Sequence, residues 1–227
     1  MPLLPEPLLV SDVYRIVAID PGTVTLGFAV LDIDMDDLSI IVQEVFTFNA
    51  GKHFKNKDQF KEIFGARTTR LKFLSERIYE KLVDWSPDCV IAESSFLSRN
   101  VMSFESLIEC KVYIRDAVTR YDESLPLTLI DPLSVKYGIG ALVKGDKKKT
   151  KRVKGKRVKG VDSKLAVRNK INSLVDLLWA AGLPPMDYLD EHSVDAISIG
   201  YWKASQIVEY LRFDNQNYID FRDSLKR

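Results

Sequence analysis

Four side chains that could bind divalent metal ions stand at the ends of predicted strands and at the start of a predicted helix. Asp20 and Glu93 each end a short apolar run, and His192 and Asp195 stand three residues apart. That spacing lets both of them project from one face of a helix. Three carboxylates and one imidazole held close together would repel one another unless cations neutralise them, and a pair of such cations suits phosphodiester hydrolysis.

Each of these residues also has an ordinary structural explanation. Pro21-Gly22-Thr23 separates two apolar runs, which predicts a tight turn between adjacent strands, and an aspartate before such a turn is common in hairpins. Acids at strand ends are frequent, and His192 could cap a helix or lie on the surface. The occurrence of all four on such elements favours a site over four separate structural roles.

The hydrophobic pattern predicts an α/β domain that places these residues. Val-, Ile- and Phe-rich strands are predicted over residues 14–20, 26–34 and 38–49, and a three- and four-residue period predicts a helix over 58–85. A strand meander followed by alternating strands and helices predicts a mixed sheet flanked by helices. The later predicted elements are a strand at 88–93, a helix at 103–121, a strand at 127–130, and helices at 132–136, 163–181 and 193–205.

Three motifs in succession resemble one family. They are Ile19-Asp20-Pro21-Gly22-Thr23 followed by Gly27, Val-Ile-Ala-Glu-Ser-Ser-Phe ending at Phe96, and His-Ser-Val-Asp-Ala-Ile-Ser-Ile starting at His192. The chain in this respect resembles the RuvC-type Holliday-junction resolvases of the ribonuclease H-like superfamily, in the form that bacteriophages encode. The resemblance implies a mixed five-stranded sheet and a homodimeric endonuclease that makes paired symmetrical nicks in a four-way DNA junction.

The resemblance also implies a metal site with two Mg²⁺ ions, for which Mn²⁺ substitutes. Asp20, Glu93 and Asp195 match the carboxylate ligands of the family, and His192 stands where many members have aspartate. A histidine ligand favours Mn²⁺ somewhat and makes activity fall at acidic pH as the imidazole becomes protonated. Glu191 stays open as the fourth ligand if the register slips by one residue.

Residues outside the metal site match the family's DNA contacts. Phe96 matches the aromatic that enters the junction centre and stacks on a base, and Arg99 follows in the same loop, where a cation near the scissile phosphate would be useful. Lys136 and Lys164 are candidate phosphate-binding residues. A core phenylalanine and ordinary exposed lysines are the alternative interpretations.

One segment carries the positive charge of the chain. Ten of the 33 Lys and Arg residues lie in residues 144–160, a region with a tandem Lys-Arg-Val-Lys-Gly repeat, although the net charge of the chain is only +1. A basic arm without aromatic residues can neutralise phosphates but cannot stack on bases; a solvated loop or a localisation signal is the alternative. Its predicted DNA-binding residues are Lys147, Lys148, Lys149, Lys151, Arg152, Lys154, Lys156 and Arg157.

Length and composition predict one nuclease domain over residues 14–205, with the basic insertion 144–160 inside it and extensions at 1–13 and 206–227. No apolar run is long enough to cross a bilayer, and the start of the chain is a poor signal peptide. Cys89 and Cys110 are predicted to be buried free thiols. These features predict a cytoplasmic protein without a membrane partner, in the host cytoplasm if a phage encodes it.

Other functions share parts of the pattern. Actin-like ATPases and sugar kinases have a similar first turn, but no second Asp-x-Gly occurs in this sequence and ATP binding would not explain the basic arm. Another ribonuclease H-like nuclease acting on branched or hybrid substrates stays open. A non-catalytic junction-binding protein would gain nothing from an acidic cluster beside DNA phosphates.

Overall fold

The computed structural model describes residues 12–53, 59–95, 101–142, 152–153, 156–157 and 163–213. The strands in these residues are β1 Val13–Asp20, β2 Thr25–Asp34, β3 Ile40–Asn49, β4 Cys89–Glu93, β5 Leu127–Ile130, β6 Arg152–Val153, β7 Lys156–Arg157 and β8 Leu177–Trp179. The helices are α1 Ala50–His53, α2 Gln59–Trp85, α3 Val101–Tyr121, α4 Pro132–Gly138, α5 Ser163–Asn172 and α6 Glu191–Phe213.

The main sheet is mixed and has the strand order β5-β4-β1-β2-β3-β8. The β1–β2–β3 meander is antiparallel, whereas β4 and β5 run parallel to β1, and β8 runs parallel to β3. The predicted mixed α/β architecture is therefore confirmed. The prediction of five strands is wrong by one, because β8 joins the sheet beside β3 as a sixth strand.

The predicted helix over residues 163–181 is wrong in its second half. α5 ends at Asn172, and Leu177–Trp179 pairs in parallel with the start of β3. The carboxylate of Asp176 accepts a hydrogen bond of 2.8 Å from the Tyr201 hydroxyl, which ties this segment to α6. A short apolar run has no period that separates a strand from a helix, so the pairing with β3 decides its structure.

The sheet is covered on both faces. Along β1, Ile16 and Ala18 belong to the core beneath α6, while Val17 and Ile19 belong to the core beneath α2 and α3. This alternation follows from the two-residue period of a strand. From Ile16 onwards β1 is a buried central strand, and its end is held between the backbones of β2 and β4.

α6 lies unusually close to β1 and β2 because two glycines leave room for it. A Cβ at Gly200 would overlap the Leu31 side chain, and a Cβ at Gly27 would overlap the backbone carbonyl of His192. The helix also continues to Phe213, past the predicted end at residue 205, and its later residues Ile207 and Leu211 are buried. The start of α6 is thus pressed against the end of β1.

The long helix α2 contains one break. Gly65 has φ +81°, a left-handed conformation that favours glycine, and the helix continues from Ala66 to Trp85. The uninterrupted helix predicted from the hydrophobic period therefore has two parts. Its second part packs through Leu71 and Leu74 onto the sheet.

Cys89 and Cys110 are both buried free thiols, as predicted. Within the described ranges, no helix is long and apolar enough to span a membrane.

Candidate active site

Two strand ends bring the first two carboxylates together. β1 and β4 are parallel neighbours with Ile19 paired to Ala92, so Asp20 and Glu93 follow at the same edge of the sheet. Both side chains line a cavity of about 380 Å³. His192 and Asp195 from the first turns of α6 line the same cavity. The structure therefore brings together all four residues singled out as metal ligands.

The start of α6 is fixed by Asp190. Its carboxylate accepts hydrogen bonds from the Ser193 backbone N–H at 2.9 Å and from the Thr47 hydroxyl of β3 at 2.7 Å. The first contact satisfies a free N–H group at the helix N-terminus, and the second ties that terminus to the sheet. With this register His192 lines the cavity, whereas the Glu191 carboxylate forms an ion pair with Lys164.

His192 is held between two side chains. Its Nδ1 lies 2.7 Å from Asp20 Oδ2, and its Nε2 lies 2.9 Å from Thr25 Oγ1. The hydrogen bond to Asp20 is the main reason that the pKa of His192 lies above its ordinary value. Because both ring nitrogens have protein partners, the imidazole must give up one of these contacts before it can bind a metal ion.

The carboxylates of the cavity disfavour one another's ionised form. Burial, followed by the neighbouring charges of Asp20 and Asp195, raises the pKa of Glu93 to about 7. Burial and Asp20 raise the pKa of Asp195 to about 6. A cavity with these acids takes up positive charge readily, as protons or as cations.

This donor set fits hard divalent cations in its chemistry, because carboxylate oxygens are the ligands that Mg²⁺ prefers and one imidazole also suits Mn²⁺. Among the residues that the structure describes, no three His, Cys, Asp or Glu side chains already have a geometry that would hold an ion. His192 in particular can join such a set only after one of its ring nitrogens leaves Asp20 or Thr25.

Lys136 contributes the positive charge of the cavity wall. Asp131 caps α4 by accepting hydrogen bonds of 3.0 Å from the N–H groups of Leu133 and Ser134, and this helix carries Lys136 into the lining of the cavity. Its ammonium group opposes the rise in pKa of Glu93 and Asp195. Lys136 therefore lies where a phosphate could bind between it and the acids.

The turn after Asp20 is held by two helices. The carbonyl of Gly22 accepts a hydrogen bond from the Cys110 thiol at 3.6 Å, and the carbonyl of Thr23 accepts one from Arg70 Nε at 3.0 Å. These two contacts, and that of Thr25 with His192, are not predicted by the sequence. These residues lie in ordinary helix and strand patterns, so no local signal marks them.

Several predicted DNA-binding residues fall outside the described ranges. These are Phe96, Arg99, Lys147, Lys148, Lys149, Lys151 and Lys154. Arg152, Lys156 and Arg157 belong to a short antiparallel hairpin in which Arg152 pairs with Arg157 and Val153 with Lys156. The structure tests none of the contacts expected of the basic arm.

Comparison with known proteins identifies the family. The chain matches no model of a protein family. It is 30% identical to the crossover junction endodeoxyribonuclease RuvC of Thermosipho melanesiensis over 139 residues. These residues cover 61% of this chain and 79% of that protein. The chain belongs to the RuvC family. A second RuvC, from Fusobacterium nucleatum, is 26% identical over 134 residues, which cover 59% of this chain and 63% of the relative. The predicted enzyme class, a nuclease, is confirmed by this membership.

Solved structures confirm the RuvC-type, ribonuclease H-like fold. A structure of Thermus thermophilus RuvC in complex with a Holliday junction substrate has a TM-score of 0.53 at 17% identity, and the match covers 85% of this chain and 96% of that one. The yeast mitochondrial Holliday junction resolvase has a TM-score of 0.55 at 11% identity, with 92% and 88% covered. At these identities the likeness concerns the fold alone.

Proposed function

We propose that this chain cuts four-way DNA junctions by metal-dependent hydrolysis and makes paired symmetrical nicks. The observation that carries the proposal is that Asp20, Glu93, His192 and Asp195 of a RuvC-family chain line one cavity at the edge of the sheet. The names of the relatives point to the substrate, since they include crossover junction endodeoxyribonucleases and a resolvase bound to a Holliday junction.

Two Mg²⁺ ions, or Mn²⁺ ions in their place, are the proposed cofactors. The carboxylates of Asp20, Glu93 and Asp195 would hold them, together with His192 once its ring leaves a protein partner. When bound, the ions supply an activated water molecule and charge for the leaving 3′ oxygen. The acids need this charge, because burial and mutual repulsion raise the pKa values of Glu93 and Asp195.

The protein itself supplies position and charge. Asp20 and Glu93 extend from paired strands covered on both faces, so their backbone is rigid. Lys136 offers a fixed positive charge on the wall of the cavity, where it can attract the scissile phosphate. Lys164 is less available, because its ammonium group pairs with Glu191.

DNA binding outside the cavity is assigned to the loop with Phe96 and Arg99 and to the basic arm. Phe96 would stack on a base at the junction centre. The arm would neutralise phosphates and thereby provide most of the affinity that does not depend on base sequence.

A homodimer is the proposed assembly, because paired nicks need two active sites. α3 carries an exposed apolar stripe in support of it: Val101, Ile108 and Val112 are 69%, 40% and 58% exposed and share one face of the helix. A second copy of the chain would bury this stripe.

The proposal is tested by incubating the full chain with Mg²⁺ and a four-way junction, beside flap, fork, duplex and RNA–DNA hybrid substrates. Paired nicks in the junction are expected, and Asp20→Asn should lower the nicking rate by at least about a hundredfold, since a ligand matters no less than the partners that orient it. Junction binding by Asp20→Asn should persist. Retained cleavage in this variant would overturn the metal-site assignment, and a preference for the hybrid would favour a ribonuclease instead.

A further inference from the structure

Arg70 lies beside the turn that follows Asp20. Its side chain is half-buried, and its Nε donates a hydrogen bond of 3.0 Å to the backbone carbonyl of Thr23. A guanidinium group held at Nε by a backbone carbonyl cannot rotate freely, so the plane of its two terminal amino groups is fixed by the turn.

With respect to the described residues, the terminal amino groups of Arg70 are open to an outside partner. Across the part of the chain that the structure describes, neither of them has a hydrogen-bond or ion-pair partner. Other arginines of the same helix are paired: Arg67 contacts Glu109 at 3.1 Å and Arg77 contacts Glu80 at 2.5 Å. Arg70 thus retains most of its five N–H donors for an outside acceptor.

Arg70 and Lys136 belong to helices that pack on opposite faces of the sheet. Leu71, the neighbour of Arg70, packs in the core on the α2–α3 face of the sheet, whereas Val135, the neighbour of Lys136, packs in the core on the α6 face. Lys136 lines the cavity together with the carboxylates, whereas Arg70 is not among its lining residues. Arg70 therefore lies outside the cavity, beside the turn that follows Asp20.

We propose that Arg70 binds a backbone phosphate of the cleaved DNA strand next to the scissile one. A strand with its scissile phosphate in the cavity would pass from Lys136 over the edge of the sheet and the turn to Arg70. Phosphate is the anion that a DNA strand presents at each step, and a planar guanidinium fork can bind two of its oxygens at once. The inference rests on the proposed function, since it presupposes a DNA strand in the cavity.

The fixed orientation gives this contact a second effect. A phosphate bound to Arg70 is tied through Nε to the Thr23 carbonyl, and thus to the turn that ends β1 at Asp20. Arg70 would set the register of the strand relative to the metal ligands as well as add affinity.

The test compares Arg70→Gln with the matched control Arg77→Gln. Glutamine keeps an N–H donor for the Thr23 carbonyl but removes the charge; Arg77 lies two helical turns further along α2 and is already paired with Glu80. Binding of a labelled four-way junction is measured without divalent ions over a range of salt concentrations. Arg70→Gln should weaken binding on the order of tenfold and reduce the slope of log affinity against log salt by about one. Arg77→Gln should change neither quantity.

Thermal unfolding separates this effect from a displaced turn, because Arg70→Gln should melt within about 2 °C of the parent chain. Arg70→Lys should keep the salt slope and recover only part of the affinity, since it keeps the charge but not the fork. An unchanged affinity and slope for Arg70→Gln, in a chain that binds and nicks the junction, would overturn the inference and leave the proposed function standing. If the parent chain neither binds nor nicks branched DNA, the proposed function fails and the inference fails with it.

Discussion

At the scale of single residues, the site combines side chains that are costly for the folded protein. Glu93 and Asp195 are buried acids beside Asp20, and their raised pKa values express the free energy required to keep them charged. On the other side of the imidazole, the Thr25 hydroxyl can either donate a hydrogen bond to His192 Nε2 or accept one from it. The imidazole therefore keeps its partner whichever nitrogen carries the proton.

The cost of the acidic cluster predicts that Glu93→Gln stabilises the protein while it abolishes cleavage. An uncharged amide of the same size relieves the repulsion from Asp20 and Asp195. Without divalent ions at pH 8, the melting temperature should rise by about 2–4 °C, which corresponds to about 1 kcal/mol in a domain of this size.

Differential scanning calorimetry with EDTA measures the change. Added Mg²⁺ should then stabilise the parent chain and have little effect on Glu93→Gln, because a ligand stabilises the state that binds it. A melting temperature of Glu93→Gln below that of the parent chain would contradict this account of the cluster.

At the scale of elements, the site depends on how closely α6 approaches the sheet. Gly27 in β2 accommodates the His192 carbonyl, and Gly200 in α6 accommodates the Leu31 side chain. The first contact involves backbone on both sides. The second involves the end of the Leu31 side chain, which can adjust more easily than backbone, and the Cβ of Ala18 at 3.0 Å.

This difference predicts which of two alanine substitutions lowers the free energy of unfolding more. Gly200→Ala should lower the free energy of unfolding by about 1–3 kcal/mol, partly offset by the helix propensity of alanine. Gly27→Ala should be the more destabilising of the two, because the His192 backbone must move, and the shift should also lower nicking activity. Chemical denaturation of both variants measures the order, and equal stabilities would argue against the close approach of α6.

The exposed stripe on α3 leads to a prediction about assembly. Ile108→Glu should place a charge in the proposed dimer interface and shift the protein towards monomers, as measured by sedimentation velocity. Val83→Glu is the matched control. Val83 of α2 is, like Ile108, an exposed β-branched apolar residue, at 50% exposure, but it lies outside the stripe. A dimer that withstands Ile108→Glu would place the interface elsewhere.

At the scale of the whole molecule, charge is divided between an acidic body and a basic arm. With residues 144–160 set aside, 23 basic and 31 acidic residues remain. A body with this excess of acids repels DNA at long range, and the arm offers the opposite potential. Under the proposed function, the arm would supply most of the long-range attraction to DNA, whereas the cavity in the body would carry out cleavage.

Replacing the Lys and Arg residues of 147–157 by glutamine should weaken binding to junctions of every sequence. The salt slope should fall by several units, because each phosphate contact contributes about one. Nicking at saturating protein concentration should persist, since the cavity is unchanged. Binding titrations at several salt concentrations decide the matter, and an unaltered slope would count against DNA contact by the arm.

Much of the site could be predicted because its signals are local. Asp20 and Glu93 end apolar strands, and such ends meet at one edge of a sheet when the strands are parallel neighbours. His192 and Asp195 share the start of one helix. The strand Leu177–Trp179 could not be predicted in this way, because its apolar residues suit either a helix or a strand until β3 pairs with them.

The sequence by itself determined the order of the elements up to α5, the candidate ligand residues and the separation of the basic arm from the acidic body. These properties depend on residue type, period and short motifs. The tertiary structure decided that His192 lies between Asp20 and Thr25, that Arg70 contacts the turn after Asp20, and that a sixth strand joins the sheet. The physical reason is that hydrogen-bond partners distant in sequence are selected by packing, and no local pattern records which surfaces will meet.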